Sequence, residues 1–140
     1  MARVQGKVAI ITGAALGIGA AMARLLSKEG AAVLLTDIKD AEGETVADEI
    51  RRSGGDAAYL HLDVADEAAW QRAVDEALRR FGRLDILINN AGVGWGGPPE
   101  EETLERWRKL MSINLDGVFL GTKYAIKAMV RDKPARASII

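Results

Sequence analysis

The chain has 140 residues, of which 49% are hydrophobic, a formal net charge of −1 and no cysteine. This length and composition predict one domain with a buried core, the balanced charge argues against nucleic-acid binding, and the lack of cysteine excludes disulfides and cysteine-ligated metals. No apolar stretch approaches the ~20 residues that span a bilayer and no signal core is present, so we expect a cytoplasmic protein that binds neither membrane nor metal.

Short apolar runs alternate with longer helical segments along the chain. The runs predict strands over 8–11, 32–36, 57–62, 84–88 and 137–140. The segments between them predict helices over 15–29, 40–52, 66–82, 103–109 and 112–130. Apolar strands that alternate with helices are typical of a parallel sheet covered on both faces. We therefore predict a doubly wound, three-layer α/β/α domain.

The first strand runs directly into a glycine-rich loop. Gly13, Gly17 and Gly19 lie between this strand and the first helix. Backbone N–H groups at a helix start attract phosphate, and glycine lets the ligand approach the backbone closely. A tight left-handed turn without a ligand is the alternative. The position between a strand and a helix favours binding of a dinucleotide pyrophosphate.

Asp37 ends the second strand. A carboxylate there can accept both hydroxyls of an adenosine ribose and would repel a 2′-phosphate, which favours NAD and makes NADP the less favoured cofactor. The alternative is that Asp37 or Asp40 caps the following helix. Lys39 complicates the preference, because a nearby cation would tolerate a phosphate.

Asp63 and the segment 89–92 follow the third and fourth strands. The carboxyl ends of parallel strands with right-handed crossovers lie on one edge of the sheet, so these groups should meet the glycine loop and Asp37. Asn side chains can tie a turn to neighbouring backbone, and the small Ala91 and Gly92 let a flat cofactor approach.

Other polar residues give weaker signals. Asn114 lies inside a predicted helix although Asn is a poor helix former; a role for its side chain or carbonyl would explain this, and an exposed or capping Asn is the alternative. His61, the only histidine, has no serine or acid at a triad spacing, so a hydrolase is unsupported. Tyr124 and Lys127 are predicted to form a surface pair on one helix face.

Together these motifs resemble the short-chain dehydrogenase/reductase family, in its type of about 250 residues with a Rossmann-like fold. Residues 12–19 resemble the family's cofactor loop, which adds Leu16 and Ile18 to the three glycines. Asp37 matches the acidic residue of NAD-preferring members, and Ile38 beside it joins the predicted cofactor-binding set.

The resemblance also implies roles for later residues. Asp63 and Val64 would contact adenine, and Asn90, Ala91 and Gly92 would contact the cofactor and steady the sheet. Asn114 would be the catalytic asparagine, on a helix that supports a water-linked proton path. The implied reaction is hydride transfer between a nicotinamide cofactor and a small-molecule alcohol or ketone, in a homo-oligomer (tetramer or dimer) that uses the helix around 114–130 for one interface.

The family's catalytic Ser and Tyr-x-x-x-Lys pair are not matched. Tyr124 and Lys127 have the wrong spacing, and Ser138 comes too early. We therefore expect residues 1–140 to be an NAD(P)-binding domain that is incomplete after Ile140 and does not turn over alcohol alone. A non-catalytic dinucleotide-binding fragment or sensor is one alternative. A methyltransferase-like domain with an adenosyl cofactor is another, against which the glycine spacing and the segment 89–92 argue.

Overall fold

The computed structural model describes residues 3–132 and 136–140. Among these residues, the strands are β1 (Val8–Thr12), β2 (Ala32–Asp37), β3 (Ala57–His61), β4 (Ile86–Ile88) and β5 (Ser138–Ile139). They form one parallel sheet in the order β3-β2-β1-β4-β5. Because the chain moves outward from β1 in one direction and then in the other, the sheet is doubly wound, as predicted.

Helices cover both faces of the sheet. They are α1 (Gly17–Lys28), α2 (Asp40–Arg52), α3 (Glu67–Phe81), α4 (Leu104–Met111) and α5 (Gly117–Asp132). Neighbouring strand residues point to opposite faces. Ile11 and Val33 accordingly pack in one buried cluster with residues of α1 and α2. Ile10 and Leu34 pack in a second cluster with residues of α3 and α5. These two clusters confirm the three-layer architecture.

Except for α2, the observed helices differ from the predicted ones by one to five residues at their ends, and two of these differences affect the site. The first helix begins at Gly17 instead of residue 15, because the preceding loop bonds to β2: Ala14 N–H donates to the Thr36 carbonyl at 3.1 Å, and Ala15 N–H donates to Asp37 Oδ2 at 3.0 Å. The predicted helix over 112–130 is divided into a π-helical turn, Ser112–Asp116, and α5.

Asp85 joins β1 to the start of β4 at the amino-terminal edge of the sheet. Its fully buried carboxylate accepts Val8 N–H at 2.9 Å and two bonds from the Arg83 guanidinium at 2.7 and 2.8 Å, and Lys7 Nζ lies 3.8 Å away. Burial by itself raises the pKa of Asp85, but the Arg83 and Val8 hydrogen bonds outweigh it and hold the pKa below its ordinary value.

We expect Asp85→Asn to lower the free energy of unfolding by about 2–3 kcal/mol at neutral pH, because an amide cannot accept both Arg83 bonds. Because the pKa of Asp85 is lower in the folded than in the unfolded protein, its carboxylate stabilises the fold at pH values above the ordinary pKa. This stabilisation is lost as the pH falls through the lowered pKa. Urea unfolding at neutral and acidic pH measures both effects.

The control is Asp75→Asn, which changes an exposed carboxylate on α3 and should have little effect. Equal stability of Asp85→Asn and the wild type at neutral pH would contradict the role of Asp85. The role would also be contradicted if the difference in the free energy of unfolding between the wild type and Asp85→Asn were the same at acidic as at neutral pH.

Candidate functional site

A cleft of about 290 Å³ opens at the carboxyl-terminal edge of the sheet, beside the point where the strand order reverses. Ligands bind in such crevices of open α/β sheets. Nine of the predicted cofactor-binding residues line it: Gly13, Leu16, Asp37, Ile38, Asp63, Val64, Asn90, Ala91 and Gly92. The other three, Gly17, Ile18 and Gly19, form the first turn of α1, directly after Leu16.

Four further residues line the cleft and were not in the predicted set: Lys39, Leu62, Val93 and Ile113. Leu62, Val93 and Ile113 are apolar neighbours of the motifs and carry no chemical signature of their own. Leu62 and Val93 could have been predicted from the sequence, because they are adjacent to Asp63 and Gly92. Ile113 comes from the π-helical turn, which only the tertiary structure reveals.

The glycine loop turns the chain from β1 into α1. Gly13 and Gly17 have φ values of 65° and 54°, in the left-handed region that favours glycine. A Cβ at Gly19 would collide with the Gly13 carbonyl and lie 2.7 Å from Asn90 Nδ2. Gly19 therefore permits the close approach of α1 to the end of β1.

The amino terminus of α1 is left without a side-chain cap. Leu16 at the N-cap position makes no capping hydrogen bond, and the first turn holds no acidic residue. Ala20 N–H donates to the Leu16 carbonyl at 3.2 Å, so the N–H groups of residues 17–19 precede the first intrahelical bond. These donors lie at the positive end of the helix dipole and can bind an anion.

The turn after β4 is bound to the end of β1. The buried Thr12 Oγ1 accepts the N–H groups of Asn90 and Ala91 at 3.0 and 2.9 Å. Asn90 Nδ2 donates to the carbonyls of Thr12 and Gly13 at 2.9 and 3.2 Å. This confirms that Asn90 ties the turn to neighbouring backbone, while its contact with a cofactor stays a prediction.

The Asp37 carboxylate links β2 to the glycine loop. Oδ1 accepts the N–H groups of Ile38 and Lys39 at 2.8 and 3.1 Å, and Oδ2 accepts Ala15 N–H at 3.0 Å. The N-cap of α2 is Lys39, without a side-chain cap, so neither Asp37 nor Asp40 caps that helix. A carboxylate has about four lone-pair positions, and three of those of Asp37 are used by these N–H groups. One position is left for a ligand, whereas the sequence predicted that Asp37 accepts both ribose hydroxyls.

Asp63 and Val64 form the turn between β3 and α3. Asp63 Oδ1 accepts Ala65 N–H at 2.9 Å, and the carbonyl of the buried Val64 accepts Trp70 Nε1–H at 2.9 Å. A Cβ at Gly117 would lie 2.8 Å from Val64 Cγ2, so α5 also packs closely on this turn. The position of Asp63 at the cleft agrees with an adenine contact, which stays a prediction.

Asn114 anchors the loop that follows Gly92. Its Oδ1 accepts Val93 N–H at 2.9 Å, and its Nδ2 donates to the Val93 carbonyl at 2.7 Å. Asn114 is thus neither freely exposed nor a cap, and its side chain has a defined partner. It lies in the π-helical turn, a feature that is frequent at functional sites. Its catalytic role stays a prediction.

Tyr124 and Lys127 form the predicted surface pair. Lys127 Nζ lies 4.9 Å from the Tyr124 ring centroid, and the Tyr124 hydroxyl contacts Glu67 at 3.1 Å. Desolvation, followed by the Glu67 hydrogen bond, raises the pKa of Tyr124. A catalytic tyrosine near neutral pH needs the opposite shift.

Residues 3–132 and 136–140 contain neither a candidate metal site nor a membrane-spanning helix. No group of three or more His, Asp or Glu side chains could hold a metal ion there. No helix in these ranges is both long enough and apolar enough to cross a membrane.

The family model for short chain dehydrogenases matches residues 7–140. The chain belongs to the short-chain dehydrogenase family. It is 44% identical over 138 residues to 2,5-dichloro-2,5-cyclohexadiene-1,4-diol dehydrogenase LinX of Sphingobium indicum, an alignment that covers 99% of this chain and 54% of the relative. It is 45% identical to 3-alpha-(or 20-beta)-hydroxysteroid dehydrogenase of Mycobacterium bovis, over 99% of this chain and 51% of the relative.

A solved structure agrees with this assignment. A double mutant of a Serratia marcescens short-chain dehydrogenase/reductase superimposes with a TM-score of 0.85 at 40% identity, over 89% of this chain and 51% of that one. The chain spans about half the length of the curated relatives it matches.

We expect Gly19→Ala to lower the free energy of unfolding by about 1–3 kcal/mol, because the added methyl group collides with the Gly13 carbonyl. Urea unfolding measures this loss. The matched control is Gly96→Ala, where an added Cβ meets open space, and its stability should stay within about 0.5 kcal/mol of the wild type. Equal stability of the two variants would contradict the close approach at Gly19.

Proposed function

We propose that the cleft binds a nicotinamide dinucleotide, with NAD preferred over NADP. We also propose that the whole protein is an oxidoreductase that acts on an alcohol or carbonyl substrate. The main support for the proposal is that the uncapped start of α1 and the Asp37 carboxylate lie at the same cleft. The bound cofactor supplies the nicotinamide ring that accepts or donates the hydride.

The residues present fit such a cofactor. The N–H groups of residues 17–19 would hold the pyrophosphate, and Gly17, where an added Cβ would meet no protein atom, places no side chain in its way. The one open acceptor position of Asp37 would take a ribose hydroxyl. Asp63 and Val64 would border the adenine, and Asn90–Gly92 would border the remainder of the dinucleotide, with Leu16, Ile18 and Ile38 as apolar neighbours.

The charges support NAD over NADP. The Asp37 side chain is held in place by three backbone donors, so its negative charge cannot move away from a 2′-phosphate without breaking those bonds. Lys39 also lines the cleft, but its exposed side chain is hydrated. A fixed repulsion outweighs a screened attraction here.

Asn114 is the catalytic residue of this proposal. Its side-chain amide is occupied by Val93, so its proposed part in a water-linked proton path falls to its main chain. The π-helical turn supports this role, because the regular ladder of helical hydrogen bonds changes there.

We also propose a homo-oligomer, a tetramer or dimer, in the cytoplasm. Phe119, Ile126 and Val130 share one face of α5 and are 62%, 47% and 65% exposed. Exposed apolar side chains on one helix face favour burial against a second copy.

We expect Asp37→Ala to raise the Kd for NADH about 20-fold, because it removes a charged hydrogen-bond acceptor, and to raise the Kd for NADPH much less. Fluorescence titration of the chain with both cofactors measures the ratio. The matched control is Glu42→Ala, which removes a nearby exposed carboxylate from the first turn of α2. An unchanged NADH-to-NADPH ratio in Asp37→Ala would overturn the NAD preference, and absence of NADH binding to the wild type would overturn the proposed function.

The names of the relatives support a substrate class. They include a cyclohexadiene-diol dehydrogenase, a hydroxysteroid dehydrogenase and cyclopentanol dehydrogenase of Comamonas sp.. The chain is 44% identical to the cyclopentanol dehydrogenase, in an alignment that covers 92% of this chain and 52% of that relative. Each name includes a hydroxyl group on a ring, which in the steroid is the 3-alpha position, whereas the alternative 20-beta position is on the side chain. We therefore propose that the substrate is a secondary alcohol on an aliphatic ring.

We expect the whole protein to reduce NAD at least about tenfold faster with cyclopentanol than with 2-pentanol, compared as kcat/KM, since a pocket built for a ring loses contacts with the open chain. Absorbance of NADH follows the reaction. Equal rates for the two alcohols would contradict the ring preference and leave the dehydrogenase activity in place.

A further inference from the structure

A polar cluster next to Asp37 lies outside the lining of the cleft. It consists of Tyr59 and His61 on β3 and Asp40 at the start of α2. The Tyr59 hydroxyl lies 2.7 Å from the Asp37 carbonyl oxygen and 2.7 Å from Asp40 Oδ1. His61 Nδ1 lies 2.7 Å from the same Asp40 oxygen. The cluster therefore reaches the backbone of a residue whose side chain lines the cleft.

The Tyr59 ring is held in a defined place. It packs against Gly43 of α2, where an added Cβ would collide with the ring. The half-buried ring thus fills the space that a side chain on α2 would take. Its hydroxyl is directed to residues 37–40 with little rotational freedom, so few conformations are lost when its hydrogen bond forms.

Asp37 is held from two sides. Its carbonyl accepts Leu62 N–H at 2.9 Å in addition to the Tyr59 hydroxyl, which fixes its backbone to β3. Its carboxylate accepts Ala15 N–H, which fixes its side chain to the glycine loop. Loss of the Tyr59 bond leaves one of the two carbonyl bonds and loosens the backbone from which the carboxylate projects.

Tyr59 and His61 share one acceptor, the Oδ1 atom of Asp40, which lies 2.7 Å from each. A phenol has one hydrogen, and here two acceptors lie at the same distance from it. Hydrogen bonds from Tyr59 and then His61 lower the pKa of Asp40, so Asp40 is an ionised acceptor. Burial, followed by Asp40, raises the pKa of Tyr59, so its hydroxyl keeps its hydrogen. When His61 Nδ1 donates to Asp40, the carboxylate becomes a weaker acceptor for Tyr59, and the Tyr59 hydrogen is shared with the Asp37 carbonyl.

We propose that Tyr59, supported by the Asp40–His61 pair, is a positioning residue for the ribose-binding carboxylate of Asp37. Tyr59 does not touch the cofactor. It acts by holding the Asp37 backbone so that the carboxylate stays against the glycine loop with one acceptor position toward the cleft. This inference rests on the proposed role of Asp37 in cofactor binding.

The test is a double-mutant cycle on NADH affinity with Tyr59→Phe, which removes the hydroxyl and keeps the ring on Gly43. We expect the Kd to rise about fivefold in the otherwise wild-type chain, the effect of one hydrogen bond. In the Asp37→Ala background we expect no further change, because the group that Tyr59 positions is absent. The control is Tyr124→Phe, which removes a hydroxyl bound to Glu67 outside the cleft and should leave the Kd unchanged.

The exposed His61 provides a second pair of variants that does not depend on the Tyr59 ring. His61→Gln keeps a hydrogen-bond donor toward Asp40 and should retain wild-type NADH affinity. His61→Leu has no donor and should raise the Kd by about the same factor as Tyr59→Phe, which is about fivefold. Equal affinity of these two variants would overturn the role of the Asp40–His61 pair.

The outcomes separate this inference from the proposed function. An unchanged Kd for NADH in Tyr59→Phe would overturn the positioning role. The role would also be overturned if Tyr59→Phe raised the Kd by the same factor in the wild-type and Asp37→Ala backgrounds, because the effect would then be a general structural one. If wild-type NADH binding is strong and Asp37→Ala weakens it, the proposed function stands whatever Tyr59 does. If Asp37→Ala leaves NADH affinity unchanged, both the ribose role and the positioning role are wrong.

Discussion

The close approach of α1 to the end of β1 is the constraint on which the site depends. Gly19 lies against the Gly13 carbonyl and Asn90 Nδ2, with no space for a side chain between them. This contact brings the first turn of α1 to the carboxyl-terminal edge of the sheet. Because the N–H groups of that turn have no intrahelical acceptors, the same contact that packs the fold also creates a positive site for an anion.

The polar side chains around the cleft mainly hold the protein's own backbone. Thr12 and Asn90 join the ends of β1 and β4, Asp37 joins β2 to the glycine loop, and Asn114 joins the π-helical turn to Val93. Each of these bonds orders a loop before any ligand arrives. A preorganised site loses less conformational entropy on binding, which favours affinity.

The two edges of the sheet use charge differently. At the amino-terminal edge, the buried Asp85 is fully paired with Arg83 and the Val8 N–H, so it stabilises the fold and offers nothing to a ligand. At the carboxyl-terminal edge, within the part of the chain that the structure describes, the hydrogen bonds to the Asp37 carboxylate come from neutral backbone N–H groups. Its charge is not neutralised, so it can discriminate between ligands of different charge.

The sequence by itself determined the layers of the fold and most of the cleft, because these features depend on local patterns. Apolar runs and helical segments alternate along the chain, and parallel strands bring the residues at their carboxyl ends together wherever the loops go. The tertiary structure alone decided the contacts between distant residues: Asn114 with Val93, Asp85 with Val8, and Tyr59 with Asp37 and Asp40. It also decided where α1 begins and where the π-helical turn interrupts the predicted long helix. Such pairs leave no periodic signal in the sequence, because the distance between their members is set by the packing of whole helices and strands.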